Sequence, residues 1–284
     1  GRPTTKIAVS FRGNGFFIFR GRVFMKVKEL LQNLDESVPF SWAEDWDNSG
    51  MLLGDPLDDI SGIAVSLDPS MTAVKMAAEK GCSVLVTHHP IIFNPLKKIV
   101  SSEGNGSVLA FAMKNCISVI CLHTNWDSSE KGVNCVIASA LGLRNPVPLI
   151  PSEKGAWGLG AAGDLWDPLQ AGHCGRMILE TMGLSRLDLY GGAERPIRRI
   201  ALCGGSGGDL WQRALWNGAD AFFTADVKYH EKMDAIENGL ALFIADHGEM
   251  ESFSLDALAS VVSAASGTPV SVLRIPSPEC FSVQ

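Results

Sequence analysis

Residues 84–95 read VLVTHHPIIFNP, a short apolar run that stops at two adjacent histidines and a proline. The run is the length of a buried strand, and Pro90 ends whatever element precedes it. Neighbouring side chains on a strand point to opposite faces, so a His-His pair inside a sheet would scatter its imidazoles. At the end of a strand, where the backbone turns, both rings can reach one cleft. His88 and His89 are therefore the first candidates for a metal site, with a structural turn as the competing reading.

The same arrangement recurs along the chain. Residues 63–67 read as a buried strand. Asp68-Pro69 then opens a helix, Asp68 as N-cap and Pro69 in its first position, which runs to Lys80 and closes at Gly81. Residues 82–87 form the next strand, so a β-α-β unit delivers the two histidines. A helix over 106–115 and an apolar strand over 117–122 follow, and that strand ends in His123-Thr124-Asn125-Trp126-Asp127. A further helix is expected over 132–141. Upstream, Val27, Leu30, Leu31 and Leu34 share one helix face, and 41–56 is a turn-rich stretch with two tryptophans.

Pro146, Pro148 and Pro151 mark a crossover segment and a domain boundary. Beyond it the pattern predicts a strand over 157–166 with a glycine kink, a helix over 168–182 and a strand over 197–202. The loop CGGSGGD (203–209) enters a helix to about 217, followed by a strand over 221–224 and a helix over 228–238. A last strand, 241–245, ends in DHGEME before a C-terminal helix. In an open parallel α/β sheet, sites form outside the carboxyl ends of the strands, and three such ends here carry ligand-type residues.

Composition narrows the function classes. Of 284 residues, 46% are hydrophobic and 19% charged, which suits a globular protein with ample core, and no apolar run is long enough to span a bilayer. The net charge of −7 gives no electrostatic case for nucleic-acid binding. Seven cysteines stand singly with no C-x-x-C, which points to reduced thiols and a cytoplasmic location. Residues 1–24 differ from the rest in carrying five basic residues and no acid. They are expected to form a basic extension outside the fold, ahead of a natural start at Met25.

The ligand-type residues at strand ends are His88 and His89, His123 and Asp127, and His247 and Glu251. The last two are four apart where a helix begins, so they share a face. Mixed nitrogen and oxygen donors suit zinc, iron, manganese or nickel and argue against a thiolate-rich structural site. Five or six donors are too many for one tetrahedral ion. A pair of ions about 3.5–4 Å apart, bridged by Asp127 or Glu251, fits better, and such a pair can polarise a phosphoryl or carbonyl oxygen. Capping and turn roles are the plain alternative for each residue.

The motifs WDNSGMLLGDP, VTHHPIIF, HTNWD, GGSGG, TADVKYHE and the H-x-x-x-E of HGEMES occur in this order. Together they resemble the NIF-three-like dinuclear-metal family, whose members often carry the name GTP cyclohydrolase 1 type 2 homologue. The resemblance spans essentially Met25 to the C-terminus. It implies two α/β domains, the middle one (146–240) inserted into a discontinuous metal-binding domain (25–145 and 241–284), with metal ligands at strand carboxyl ends. It also implies two divalent ions held by His88, His89, Asp127, His247 and Glu251, His123 as an acid/base group, and a toroidal homohexamer. The chain resembles the short form, with no room between Leu141 and Ile197 for the extra domain of longer members. Asp246 and Glu249 flank His247-Gly248 where many relatives have glycine before the histidine and an aromatic residue after it.

The implied activity is that of a hydrolase in which metal-bound hydroxide attacks GTP, a related nucleotide or another small molecule. A non-enzymatic metal-handling or adaptor protein is the alternative. Gly205, Ser206 and Gly207 of the glycine-rich loop are expected to line the substrate site, since backbone amides entering a helix can hold phosphate. The loop lacks the Lys-Ser/Thr of a P-loop. His230 is a pocket candidate, but Asp234 stands where a zinc-protease helix would need its second histidine. Trp46, beside a ligand-bearing motif, could stack a purine, and so could Trp126, although packing accounts for both without a ligand.

Overall fold

The computed structural model describes residues 25–276, together with a two-stranded pairing of β1 (Ala8–Val9) with β2 (Ile18–Phe19). The expectation for 1–24 otherwise lies outside the described residues. From Met25 the chain forms α1 (Val27–Ser37), β3 (Gly50–Leu53), β4 (Ile63–Ser66), α2 (Met71–Glu79), β5 (Val84–Thr87), α3 (Gly104–Lys114), β6 (Ser118–Cys121), α4 (Thr124–Asp127) and α5 (Val133–Ala140). It continues through β7 (Arg144–Val147), β8 (Ile150–Pro151), β9 (Gly158–Leu159), β10 (Ala161–Gln170), α6 (Ala171–Met182), β11 (Leu187–Tyr190) and β12 (Pro196–Ser206). The remainder is α7 (Trp211–Trp216), β13 (Ala221–Ala225), α8 (Tyr229–Glu237), β14 (Ala241–Ala245), α9 (His247–Ser252), α10 (Leu255–Ser266) and β15 (Ser271–Val272).

These strands make two mixed sheets and one small hairpin, β8 with β9. The first sheet has the order β15-β4-β5-β6-β3, parallel except for β3 at its edge. The second has the order β11-β14-β13-β12-β10-β7, with β12, β13 and β14 parallel at its centre. The central strands β4, β5, β6 and β13 are buried along their whole length, as their uninterrupted apolar runs require when both faces are covered.

Alternation divides the side chains between the faces. In the first sheet Val65, Val86 and Ile120 pack with Leu30 and Leu34 of α1 and with Leu258 and Val262 of α10. Ala64, Leu85 and Val119 pack on the other face with Val74 of α2 and Leu109 of α3. In the second sheet Leu202, Phe223 and Phe243 face α5 and α6, while Ala201, Phe222 and Leu242 face α7 and α8. The α1-side core of the first sheet is continuous with the α6-side core of the second, so one apolar cluster joins both halves.

Several elements differ from the sequence expectation. Ser70, not Asp68, caps α2, its hydroxyl accepting from Ala73 N at 3.1 Å. Part of the crossover expected over 145–153 instead belongs to the edge strand β7, with all four of its residues exposed. Strand β12 continues through Gly204, Gly205 and Ser206, which the sequence suggests as loop. Ala241–Ala245, grouped from sequence with the first domain, lies between β11 and β13 in the six-stranded sheet, because its apolar side chains are shared by α6 and α8. The chain rejoins the first sheet only through α10 and β15. No helix of the described residues is long and apolar enough to cross a membrane.

Candidate metal centre

The carboxyl ends of both parallel strand sets open onto one cleft. From the first sheet, β4 leads to Asp68, β5 to His88 and His89, and β6 to His123, with Asp127 one helical turn later. From the second, β12 ends at Ser206, β13 leads to Asp226, and β14 leads into α9 with His247 and Glu251. Backbone pairing continues past β5, His88 N donating to Ser66 O and His89 N to Leu67 O. The rings nevertheless lie side by side, their centroids 5.0 Å apart, as expected for a pair at a strand end.

Each cleft histidine is gripped at Nδ1. His88 Nδ1 lies 3.0 Å from the carbonyl oxygen of Leu122, His89 Nδ1 2.7 Å from Asp68, His123 Nδ1 2.7 Å from Asp47, and His247 Nδ1 2.6 Å from Asp226. A carbonyl or carboxylate can only accept, so Nδ1 carries the proton and, in the neutral ring, Nε2 presents a lone pair. Metal-ligating histidines show this same arrangement, in which an outer acceptor fixes tautomer and ring orientation. Asp226 is held at φ 51°, a left-handed conformation costly for a residue with a Cβ, while its carboxylate meets His247.

The Nε2 side is crowded with donors that lack partners. His88 Nε2 lies 3.6 Å from Asp127 Oδ1 and 3.5 Å from Glu251 Oε1. His89 and His247 bring Nε2 to 2.8 and 3.0 Å from Glu251 Oε2, yet without the alignment of a hydrogen bond. Among the described residues, His88 Nε2, Asp127 Oδ1, His247 Nε2 and Glu251 Oε2 are buried side-chain atoms with no hydrogen-bond partner. Leaving such groups orphaned costs about 1–3 kcal/mol each, more for charges, and a cation is what four lone-pair donors share. Two groups could hold metal ions, His88 with His89 and His123, and His89 with His247 and Glu251; within each group the donor atoms lie within 4.8 Å of one another. The residues therefore fit the metal-binding role, although His123, cast from the resemblance as an acid/base group, presents its ring among the donors.

Without metal the charges compensate one another. Burial would push the pKa of Glu251 up, but His88, His247 and His89 around it hold it well below the usual carboxylate range. Burial, reinforced by Glu251 and only partly opposed by His88, raises Asp127 to about 6. For His89, burial is outweighed by Asp68 and Glu251, which raise it to about 10. Glu251, with help from Asp226 and against burial, raises His247 to about 9. Asp47 is kept well below the carboxylate range despite burial, because His123 and Thr124 bond to it. Burial pushes the Cys203 thiol up, so this cleft residue is no ready thiolate and the donor set stays nitrogen and oxygen.

The donors open onto a cleft of about 960 Å³ between the two sheets. Trp46 and Ser206 line it. Gly205 lies behind the donors at φ 68°, where a Cβ would come within 2.0 Å of Glu251 Oε1. Gly207 is confined by Cys203 and Thr224, each 2.6 Å from the position of a Cβ. Close packing, against a donor carboxylate at Gly205 and against Cys203 and Thr224 at Gly207, thus accounts for these two glycines. His230 lies on α8 with its ring edge-on to Tyr229 and is not among the residues lining this cleft. Trp126 is fully buried, whereas Trp46 is 63% exposed, so packing accounts for one tryptophan and not the other. In the sequence Asp47 and Asp226 have no distinguishing pattern, and Asp68 reads only as a cap. Their signal was an aspartate in WDNSG, in SLDPS and in TADVKYHE, each beside a strand end or turn.

Fold and donor cluster together define a class: two-sheet α/β proteins with histidines and carboxylates gathered at strand carboxyl ends. Residues 25–278 match the model of the Duf34/NIF3 (NGG1p interacting factor 3) family, and the chain belongs to that family. It is 32% identical over 232 residues to the GTP cyclohydrolase 1 type 2 homolog of Streptomyces coelicolor, covering 80% of this chain and 81% of that protein. It is also 32% identical over 238 residues to the protein of that name from Campylobacter jejuni, covering 83% and 91%. Among solved structures it is similar to Staphylococcus aureus protein SA1388, with TM-score 0.85 and 25% identity over 91% of this chain and 99% of that one. Reduced HcgD from Methanocaldococcus jannaschii gives a TM-score of 0.76 and 26% identity over 89% and 99%.

Proposed function

We propose that this chain is a dinuclear-metal-dependent hydrolase acting on a nucleotide or a related small molecule, as the name shared by its relatives suggests. The observation that carries the reading is the set of four buried, unpartnered donor atoms at the floor of an open cleft. His88, His89, Asp127, His247 and Glu251 would hold the ions, zinc, iron, manganese or nickel by the chemistry of the donors. When bound, such a pair supplies Lewis acidity and makes water a better nucleophile near neutral pH. His123 donates its Nδ1–H to Asp47, whose carboxyl is held well below the usual range, and presents Nε2 to the cleft, where it can take a proton from water and return it to a leaving group. Asp47 also accepts from Thr124 N, so the base is held by a carboxylate that is itself held. The hexamer belongs to the same proposal; the edge strand β7, whose four residues are all exposed, supports self-association.

Elemental analysis of reconstituted protein, paired with GTP turnover in the same sample, tests the reading. About two ions per chain with chelator-sensitive turnover is the expected result. Two ions without turnover on GTP or other nucleotides would favour a metal-handling or adaptor role, and no retained metal after reconstitution would overturn the site.

A further inference from the structure

We infer that the cleft takes a flat heteroaromatic ring of nucleoside type, stacked on one of Trp46 and Phe93 and meeting the other at a tilt, in preference to a nucleoside triphosphate. The inference rests on the reading of this cleft as a substrate site and narrows the class of molecule that enters it. Trp46 is 63% and Phe93 50% exposed, an unusual placement for two large aromatic side chains in contact. Their ring centroids are 6.0 Å apart at 59°, and each stands nearly edge-on to His123, at 6.3 and 6.2 Å. Both line the cleft beside the acid/base candidate. Because the two planes are tilted by 59°, a flat ring stacked on one would meet the other edge to face, within the cleft that His123 also lines.

The platform is held in place before any ligand arrives. Asp47, next in sequence to Trp46, bonds His123 and Thr124 at the cleft floor. Asn48 donates to the carbonyl of Ile92, which ties the segment bearing Trp46 to the one bearing Phe93. A stacking surface fixed in this way loses little freedom on binding. Stacking alone accepts any planar base, since every base has a π-face.

Charge decides against a polyphosphate. Among the described residues lining the cleft are six carboxylates, one lysine and no arginine. Asp127 and Glu251 are among the donors, where ions would neutralise them, and Asp68 is taken up by His89 Nδ1 at 2.7 Å. Glu44, Glu153 and Asp209 are left facing whatever lies above. The lysine, Lys154, already has its Nζ at 2.7 Å from the Ala43 carbonyl and 3.1 Å from Asp45. One phosphate could be met by the ions, but a chain of three would extend past them toward those carboxylates with no guanidinium fork to receive it.

The test is calorimetric titration of manganese-reconstituted protein with the four ribonucleosides and their triphosphates, repeated on the Trp46→Ala/Phe93→Ala double variant. The exposure of both residues lets the variant keep its fold, which circular dichroism and metal content verify. At least one nucleoside should bind at least tenfold more tightly than its triphosphate, and the double variant should weaken it by roughly tenfold or more at unchanged metal content. No nucleoside binding, a triphosphate binding as tightly as its nucleoside, or an affinity indifferent to the double substitution would each overturn the inference. So would a double variant that dissociates the oligomer yet binds nucleoside normally, since the aromatics would then be an interface between copies. Because the readout is binding, a nucleoside that binds without being turned over counts against the hydrolase reading and leaves the ring site standing.

Discussion

The Nδ1 atoms of His89, His123 and His247 each face an aspartate, and those aspartates lie 21, 76 and 21 residues away in sequence. Such carboxylates orient all three rings and, in the metal-free protein, those beside His89 and His247 help to favour the charged imidazolium. The consequence is a pH-dependent stability whose sign is fixed. The folded-state values of His89 and His247, about 10 and about 9, stand above the ordinary histidine value of about 6.5. Their contribution to stability is therefore complete below about pH 6.5 and is lost as pH rises through 9 to 10. Glu251 acts in the opposite sense, contributing above its unfolded carboxylate pKa and losing that contribution as pH falls. Calorimetric melts of chelator-treated protein should show the midpoint falling from pH 6.5 to 10. A His89→Gln/His247→Gln variant should show a shallower fall, and equal slopes would refute the assignment. Metal saturation should flatten the profile as well, because a bound ion replaces those protons.

Helix α2 and the turn before it separate two aspects of the element that a sequence merges. Asp68 and Ser70 are both cap-type residues, yet Ser70 caps the helix and Asp68 reaches across to His89. Ser70→Ala should cost about 1 kcal/mol of stability with metal affinity unchanged. Asp68→Asn should do the reverse, weakening metal affinity roughly 10–100-fold with little change in thermal stability of the metal-free protein at pH 10, where His89 is losing its charge. Denaturant melts and competitive metal titration of the two variants would show whether those effects separate. Local pattern made the central strands legible, since β4, β5, β6, β13 and β14 are short apolar runs, and it placed His88, His89, His123 and His247 at their ends. The edge strands were not legible. Arg144–Val147 carries Pro146 and no buried residue, and Ser271–Val272 owes its identity to pairing with Ala64 and Val65, some two hundred residues earlier. The aspartates behind the histidines were hidden for the same reason, because long-range contacts leave no periodicity.

At the scale of the whole molecule, the donor cluster is a second bond between two halves that already share an apolar core. His88, His89 and Asp127 come from the segments that follow strands of the five-stranded sheet, and His247 and Glu251 from the helix that follows the centre of the six-stranded one. Gly205 lets β12 of the second sheet press against Glu251, so that carboxylate is fixed from behind while it faces His88 across the seam. Without a cation, the seam holds four unpartnered polar atoms and two carboxylates close enough for one to raise the pKa of the other. An ion that binds only the folded protein at a hundred times its dissociation constant adds about 2.7 kcal/mol. In a chain of this size that corresponds to a rise in Tm of roughly 5 °C. Scanning calorimetry of metal-saturated and chelated samples should show that gap, and restoring the ion should close it. Hydrogen exchange should locate the loosening in the chelated protein at the ends of β5 and β6 and in α9, the elements that bring the donors together. A Tm indifferent to chelation, with metal content verified in both samples, would mean that the apolar core alone holds the halves and that the donor cluster bears no part of their union.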